Sequence, residues 1–211
     1  MMRRLLLQRP GVEGAEVQIV WGVRHAEGLK RYLGDLLWSV RVRPRTPSMK
    51  KLMARLNGQR GSKFNQDVAA VFSDPSRYTL CTNVKKLGHV RLSQAGQDLG
   101  YIDVLAADKL THHLWIIECK NLNPARTQYQ LCHVLDDLIR HTRGKLSIIH
   151  QHKKRVQVQT HLPAILAELG CQWHVSWTVE PLIVTSEPLP SPHLRELSMR
   201  ILSLKELPAV H

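Results

Sequence analysis

Residues 98–120, Asp-Leu-Gly-Tyr-Ile-Asp-Val-Leu-Ala-Ala-Asp-Lys-Leu-Thr-His-His-Leu-Trp-Ile-Ile-Glu-Cys-Lys, decide the fold. The segments 101–107 and 113–119 are rich in Tyr, Ile, Val, Leu and Trp, and the polar stretch from Asp108 to His112 between them is turn material, so the whole reads as a β-hairpin. Three charged residues, Asp103, Glu118 and Lys120, stand inside or at the ends of these apolar strands, where charge is costly. By the period of two, Ile116, Glu118 and Lys120 share one face, and Ile117 and Cys119 the other. Asp103 lies fifteen residues before Glu118, where a hairpin brings it level. Two carboxylates held close repel unless a cation lies between them, and hard oxygen donors in a partly open site suit Mg²⁺ or Mn²⁺.

The pattern Gly100-Tyr-Ile-Asp-Val-Leu followed by Ile117-Glu-Cys-Lys-Asn resembles the PD-(D/E)XK nucleases of the restriction-endonuclease-like fold, of the nuclease-related-domain type. Ile102 stands where the family's motif has proline. The resemblance implies that Asp103 and Glu118 hold the metal, with the backbone carbonyl of Cys119 as a third ligand. It also implies that Lys120 orients or helps deprotonate the attacking water and stabilises charge developing on phosphate. A short D…ExK match also arises by chance, as solvated charges at strand ends. The hairpin context, the shared face and a helix directly behind favour the nuclease reading. In this family the first core helix often supplies a glutamate toward the metal. Here that region offers Asn65, Gln66 and Asp67, and Asp67 is the choice, with an ordinary solvated helix acid as the alternative.

The chain has 211 residues and 43% hydrophobic content, enough for one domain with an appendage. No apolar run approaches a membrane span, and the opening three leucines are too short for a signal-peptide core. A soluble, cytoplasmic protein with no membrane association is expected. Cys81, Cys119, Cys132 and Cys171 are far apart and form no metal or redox pair, so reduced, mostly buried thiols are expected. Among twelve histidines, the His112-His113 and His150-Gln-His152 groupings read as solvated or phosphate-facing rather than as zinc ligands.

The net charge of +13 is uneven: residues 1–63 carry 14 Lys and Arg against 4 Asp and Glu, and residues 64–211 carry 16 against 13. A basic appendage on a near-neutral body is the footprint of a polyanion binder, with solubility or an acidic protein partner as the alternatives. Residues 1–60 are therefore read as a basic, helical N-terminal extension for nucleic-acid or partner contact, and 61–211 as the nuclease domain. Within the extension, 12–23 could form a strand, 25–40 an amphipathic helix, and Arg41, Arg43 and Arg45 lie in a proline-broken, extended linker. Thr46 caps a short helix that Gly58 ends, and Lys50, Lys51 and Arg55 line its outer face, suited to a nucleic-acid backbone.

From residue 61 the expected order is helix, three strands, helix, strand, giving an α/β fold with a mixed central sheet flanked by helices, the αβββαβ core of the resembled family. Phe64, Val68, Val71 and Phe72 stripe the first helix, and 77–84 is the first strand. Residues 85–97, with Lys85 and Lys86, read as a basic mobile loop at the mouth of the site. Asn123 caps a long helix from Pro124, whose first turns bring Gln128 and Gln130 toward phosphate or water. Further helices at 145–157 and 162–169 precede a strand over 173–185 in which Pro181 marks a bend or an edge, and a final strand and turn cover 201–207.

The expected activity is Mg²⁺- or Mn²⁺-dependent endonucleolytic hydrolysis of DNA phosphodiesters, with restriction, phage defence, repair or the nuclease arm of a larger complex as settings. Two other readings stay open: a non-catalytic or partner-activated DNA-binding or assembly module, and an RNA nuclease. Sparse aromatic residues favour DNA over RNA. Domains of this type often work as homodimers or with a protein partner.

Overall fold

The computed structural model describes residues 7–8, 19–20, 23–38, 44–87, 90–91, 93–94, 97–122, 127–139, 147–172, 174–189 and 199–210. The chain divides into two compact units, Met1–Gln59 and Arg60–His211. In the first, Leu7–Gln8 pairs antiparallel with Ile19–Val20, and helix α1 spans Val23–Trp38. The strand expected over 12–23 is thus confined, among the described residues, to Ile19–Val20. Tyr32 and Leu33 of the expected α1 stripe are each 47% exposed.

Helix α2, Pro47–Ala70, carries the division between the units. Thr46 caps it as expected, its Oγ1 accepting the Met49 N–H at 3.2 Å. The stop expected at Gly58 is absent, and one helix runs where two were expected. A glycine in mid-helix costs roughly 1 kcal/mol relative to alanine, a penalty that burial of Phe64, Val68 and Phe72 further along offsets. A Cβ added at Gly61 would meet nothing within 4 Å. Gly61→Ala is therefore expected to stabilise the protein by roughly 0.5–1 kcal/mol, read as a higher urea midpoint at unchanged slope.

The second unit is built on a five-stranded mixed sheet: β1 (Tyr78–Val84), β2 (Ile102–Asp108), β3 (His113–Lys120), β4 (Thr178–Thr185) and β5 (Arg200–Ser203), in spatial order β1-β2-β3-β4-β5. β1, β2 and β3 form an antiparallel meander, whereas β4 runs parallel to both β3 and β5. Helices α3 (Gln128–Ile139), α4 (Ser147–Thr160) and α5 (Leu162–Glu168) supply the crossover that a parallel β4 requires. The protein is thus an α/β fold with a mixed sheet.

Both faces of the sheet are covered. Phe64 and Val68 of α2, with Phe72 just past its end, pack with Val104, Ala106, Trp115, Ile117, Leu182 and Val184. Leu105, Ala107, Leu114, Ile116 and Val179 pack with Val158 of α4 and Ile165 and Leu166 of α5. Leu138 of α3 and Ile148 of α4 close over Ile183 and Ile201. β2, with every residue buried, reads as a near-continuous apolar run because it has neighbours on both sides and helices on both faces.

Local details depart from the sequence expectation. The stretch read as a loop over 85–97 contains two short antiparallel pairs, Lys86–Leu87 with Val90–Arg91 and Ser93–Gln94 with Gln97–Asp98. Asn123 and Pro124 lie outside the described residues. The described part of α3 starts at Gln128, where Thr127 Oγ1 accepts the Gln130 N–H at 3.2 Å. Pro181 is buried in a strand with a neighbour on each side, yet β5 pairs only from Leu182 onward, so at Pro181 the strand is locally an edge and its missing N–H is tolerated. No helix among the described residues is long and apolar enough to cross a membrane. Of the four unpaired cysteines only Cys171 is buried, and Cys132 is exposed rather than buried as expected.

Candidate active site

The β2–β3 ladder ends at Val104↔Ile117, and one step further along the same register Asp103 stands level with Glu118. The β1–β2 pairing also lapses there. Thr82↔Val104 is followed by Val84↔Ile102, passing over Asn83, whose φ of 53° is left-handed, and Asp103. Ile102 joins the core cluster of α4 and α5, and Val104 that of α2, so side-chain alternation breaks at Asp103. At this break the carboxylate takes a hydrogen bond on each oxygen. Asn65 Nδ2 of α2 donates to Oδ1 at 3.2 Å, and the Cys119 backbone N–H of β3 donates to Oδ2 at 2.8 Å.

Glu118 is held more tightly. Lys120 Nζ donates to its Oε1 at 2.7 Å, and its Oε2 accepts from Lys154 Nζ at 2.9 Å and Gln151 Nε2 at 3.2 Å. Lys154 and Gln151 come from α4, where Ile148, Gln151, Lys154 and Val158 form the buried stripe. Lys154 Nζ also donates to the Tyr101 carbonyl at 2.8 Å. Beyond Lys120, Asn121 exchanges two hydrogen bonds with Arg60: Nη2 donates to Asn121 Oδ1 at 3.3 Å, and Asn121 Nδ2 donates to the Arg60 carbonyl at 3.1 Å. Ser186, after β4, accepts the Leu122 N–H and donates back to the Leu122 carbonyl, fixing the chain where it leaves β3.

The two carboxyl groups are driven in opposite directions. Burial, with the charge of Glu118 adding to it, pushes Asp103 above the usual carboxylate range, against the Cys119 N–H and the two lysines. Burial also acts to raise Glu118, but Lys120 and Lys154 and their hydrogen bonds outweigh it, so Glu118 sits below its ordinary value. Glu118 is therefore the firmly ionised member of the pair. The Cys119 thiol is pushed well up by burial and by both carboxylates, which rules it out as a thiolate nucleophile. His150 of α4 is lowered by burial and by the neighbouring Lys153 and Lys154, and stays neutral at neutral pH.

Of the residues expected to form the site, Asp103, Glu118, Lys120 and the backbone of Cys119 come together. Asp67 is exposed on α2, and it is the half-buried Asn65 that reaches Asp103, because the two flank the Phe64–Val68 stripe on opposite edges of the helix and Asn65 is on the edge toward Asp103. Lys85 and Lys86 are exposed and border a hollow of about 330 Å³ between β1 and α5 that shares no lining residue with the carboxylate cluster. Gln128 and Gln130 are exposed in the first turn of α3. Arg45, Lys50, Lys51 and Arg55 are exposed in the first unit, and Arg41 and Arg43 lie outside the described residues. Sequence reasoning missed Gln151, Lys154 and Arg60, and passed over Asn65 for Asp67.

A divalent cation fits the donor set. A carboxylate offers about four lone-pair sites; Asp103 uses two in the hydrogen bonds above and Glu118 three, leaving acceptor capacity on both. Gln151 is fully buried, and its Oε1 accepts no hydrogen bond while its Nε2 is engaged by Glu118. A buried amide oxygen without a donor costs about 1–3 kcal/mol, and a hydrated cation at the carboxylates would supply that donor.

Comparison with known proteins gives no match: no family profile, no curated protein and no solved structure aligns significantly with this chain.

Proposed function

We propose that this protein is a metal-dependent endonuclease that hydrolyses DNA phosphodiester bonds in the cytoplasm, built on a restriction-endonuclease-like core with a basic N-terminal extension that grips DNA. The observation that carries the reading is the convergence of Asp103, Glu118 and Lys120 at one end of the central hairpin, on strands that also supply the core. The succession of α2, the β1–β3 meander, crossover helices and a parallel β4 supports it.

Mg²⁺ or Mn²⁺, when bound, would polarise the phosphoryl group and lower the pKa of water. Asp103 and Glu118 would hold it, with the Cys119 carbonyl as a further ligand and the Gln151 amide oxygen accepting a hydrogen bond from the cation's water. Asn65 and the Cys119 N–H fix the direction of Asp103, and Lys154 and Gln151 fix that of Glu118, so neither carboxylate must reorganise as the reaction proceeds. Lys120, the more exposed of the two lysines on Glu118, can turn a donor toward a phosphate oxygen or the attacking water. Arg60 is held at Asn121, the residue after Lys120, and brings a guanidinium charge to this end of β3.

Incubating the full chain with supercoiled, linear and single-stranded DNA, and with RNA, in Mg²⁺, Mn²⁺ or EDTA tests the proposal. Metal-dependent nicking of DNA is the expected result. Preferential cleavage of RNA would change the substrate class. Tight, salt-sensitive DNA binding with no cleavage by either metal would replace the enzyme with a binding module.

A further inference from the structure

The four charged side chains around the hairpin end, Asp103 and Glu118 against Lys120 and Lys154, sum to zero. Lys120 alone would serve as the counter-ion of Glu118, yet a second ammonium occupies its other oxygen. That second lysine is not a surface residue settling on the nearest acid. Lys154 is 3% exposed, lies in the buried stripe of α4 between Ile148 and Val158, and spends two of its three donors on Glu118 Oε2 and the Tyr101 carbonyl. A lysine so buried is held in place by the cost of leaving it unpaired.

Affinity of oxygen sites for hard divalent cations is set by ligand charge and geometry. A cation arriving at this cluster meets no net negative charge and finds one Glu118 oxygen shared with Lys154. A phosphodiester brings the missing negative charge. We infer that Lys154 makes divalent-cation binding at Asp103 and Glu118 conditional on phosphate, so that metal and nucleic acid load together. This inference rests on the nuclease reading and adds to it a mode of regulation, in which the site stays poorly charged with metal until a backbone enters. By linkage, the factor by which DNA tightens metal binding equals the factor by which metal tightens DNA binding.

The test is an electron paramagnetic resonance titration of Mn²⁺ into the full chain at fixed pH and ionic strength, with and without a saturating short phosphorothioate duplex. For the unaltered chain, affinity for Mn²⁺ is expected to rise about tenfold or more when the duplex is present, a coupling of roughly 1.4 kcal/mol. Lys154→Met, its fold checked by circular dichroism, is expected to bind Mn²⁺ about tenfold more tightly than the unaltered chain without duplex and to lose most of the coupling. Adding Glu118→Gln should remove that gain. A lysine that merely ties α4 to the sheet would lower stability on substitution and leave Mn²⁺ affinity unraised, which would overturn the inference. Glu118-dependent Mn²⁺ binding that is equal with and without duplex in the unaltered chain overturns it without recourse to any variant. Absence of Glu118-dependent Mn²⁺ binding in every arm, with no metal-dependent cleavage, instead defeats the nuclease reading and the inference with it.

Discussion

Glu118→Gln and Lys120→Met are each expected to reduce metal-dependent plasmid nicking by about 10³-fold, on the order of 4 kcal/mol of transition-state stabilisation. The glutamine keeps the shape of the side chain and one acceptor oxygen but removes the negative charge that faces two ammonium groups. Because Lys154 would then be buried beside a neutral amide, this variant should also unfold at lower denaturant, by roughly 1–3 kcal/mol. Lys120 is about a third exposed, so Lys120→Met separates chemistry from folding: activity should fall with little change in the urea midpoint. In EDTA, where no metal contributes, the DNA binding expected of the exposed basic residues should survive both changes. Cleavage near the unaltered rate by either variant would show that Asp103, Glu118 and Lys120 are an ion-pair cluster and not an active centre.

How much of this site was legible depends on the element that carries each residue. The hairpin could be read because its strands are apolar, its turn polar and its pairing arithmetic fixed by loop length. That places Asp103 level with Glu118 from the sequence alone. The contribution of α4 was hidden. Its buried stripe reads Ile148, Gln151, Lys154, Val158, two polar residues out of four, so the segment looks like a basic surface helix. The available signal was the spacing of Ile148 and Val158, ten residues apart on one face, with Gln151 and Lys154 falling between them. α2 was misdivided because Gly58 matches the residue preferred just past a helix end, a local preference overridden by packing of Phe64, Val68 and Phe72. The same division obscured Arg60, and choosing Asp67 over Asn65 by charge could not tell which edge of the Phe64–Val68 stripe faces Asp103.

Asp108 was read as part of the turn, yet it is the last residue of β2, 2% exposed, and it anchors the opposite end of the hairpin. Its Oδ2 accepts from Arg77 Nε at 3.0 Å and Nη2 at 2.7 Å, and its Oδ1 from the Leu110 and Thr111 N–H groups at 2.9 and 3.3 Å. Burial acts to raise its pKa, but the Arg77 guanidinium and the turn amides prevail and hold it at about 2, against an ordinary 3.8. Since the unfolded chain takes up the proton first as pH falls, this carboxylate stabilises the fold above about pH 4, and the contribution is lost between there and pH 2. Glu118, also lowered, acts in the same direction, and Asp103, raised by burial, acts in the opposite one. Asp108→Asn is therefore expected to cost about 2 kcal/mol at neutral pH, with the difference from the unaltered chain shrinking toward zero as pH approaches 2. Urea midpoints measured across that range check it, and a difference that stays constant with pH would assign the cost to lost packing rather than to the charge. Cleavage per folded molecule should be unchanged at neutral pH, because five cross-strand pairs, from Val104↔Ile117 to Asp108↔His113, separate the turn from the carboxylates. A loss of activity that outpaced the loss of folded protein would mean instead that strain at the turn passes along the ladder and shifts Asp103 against Glu118.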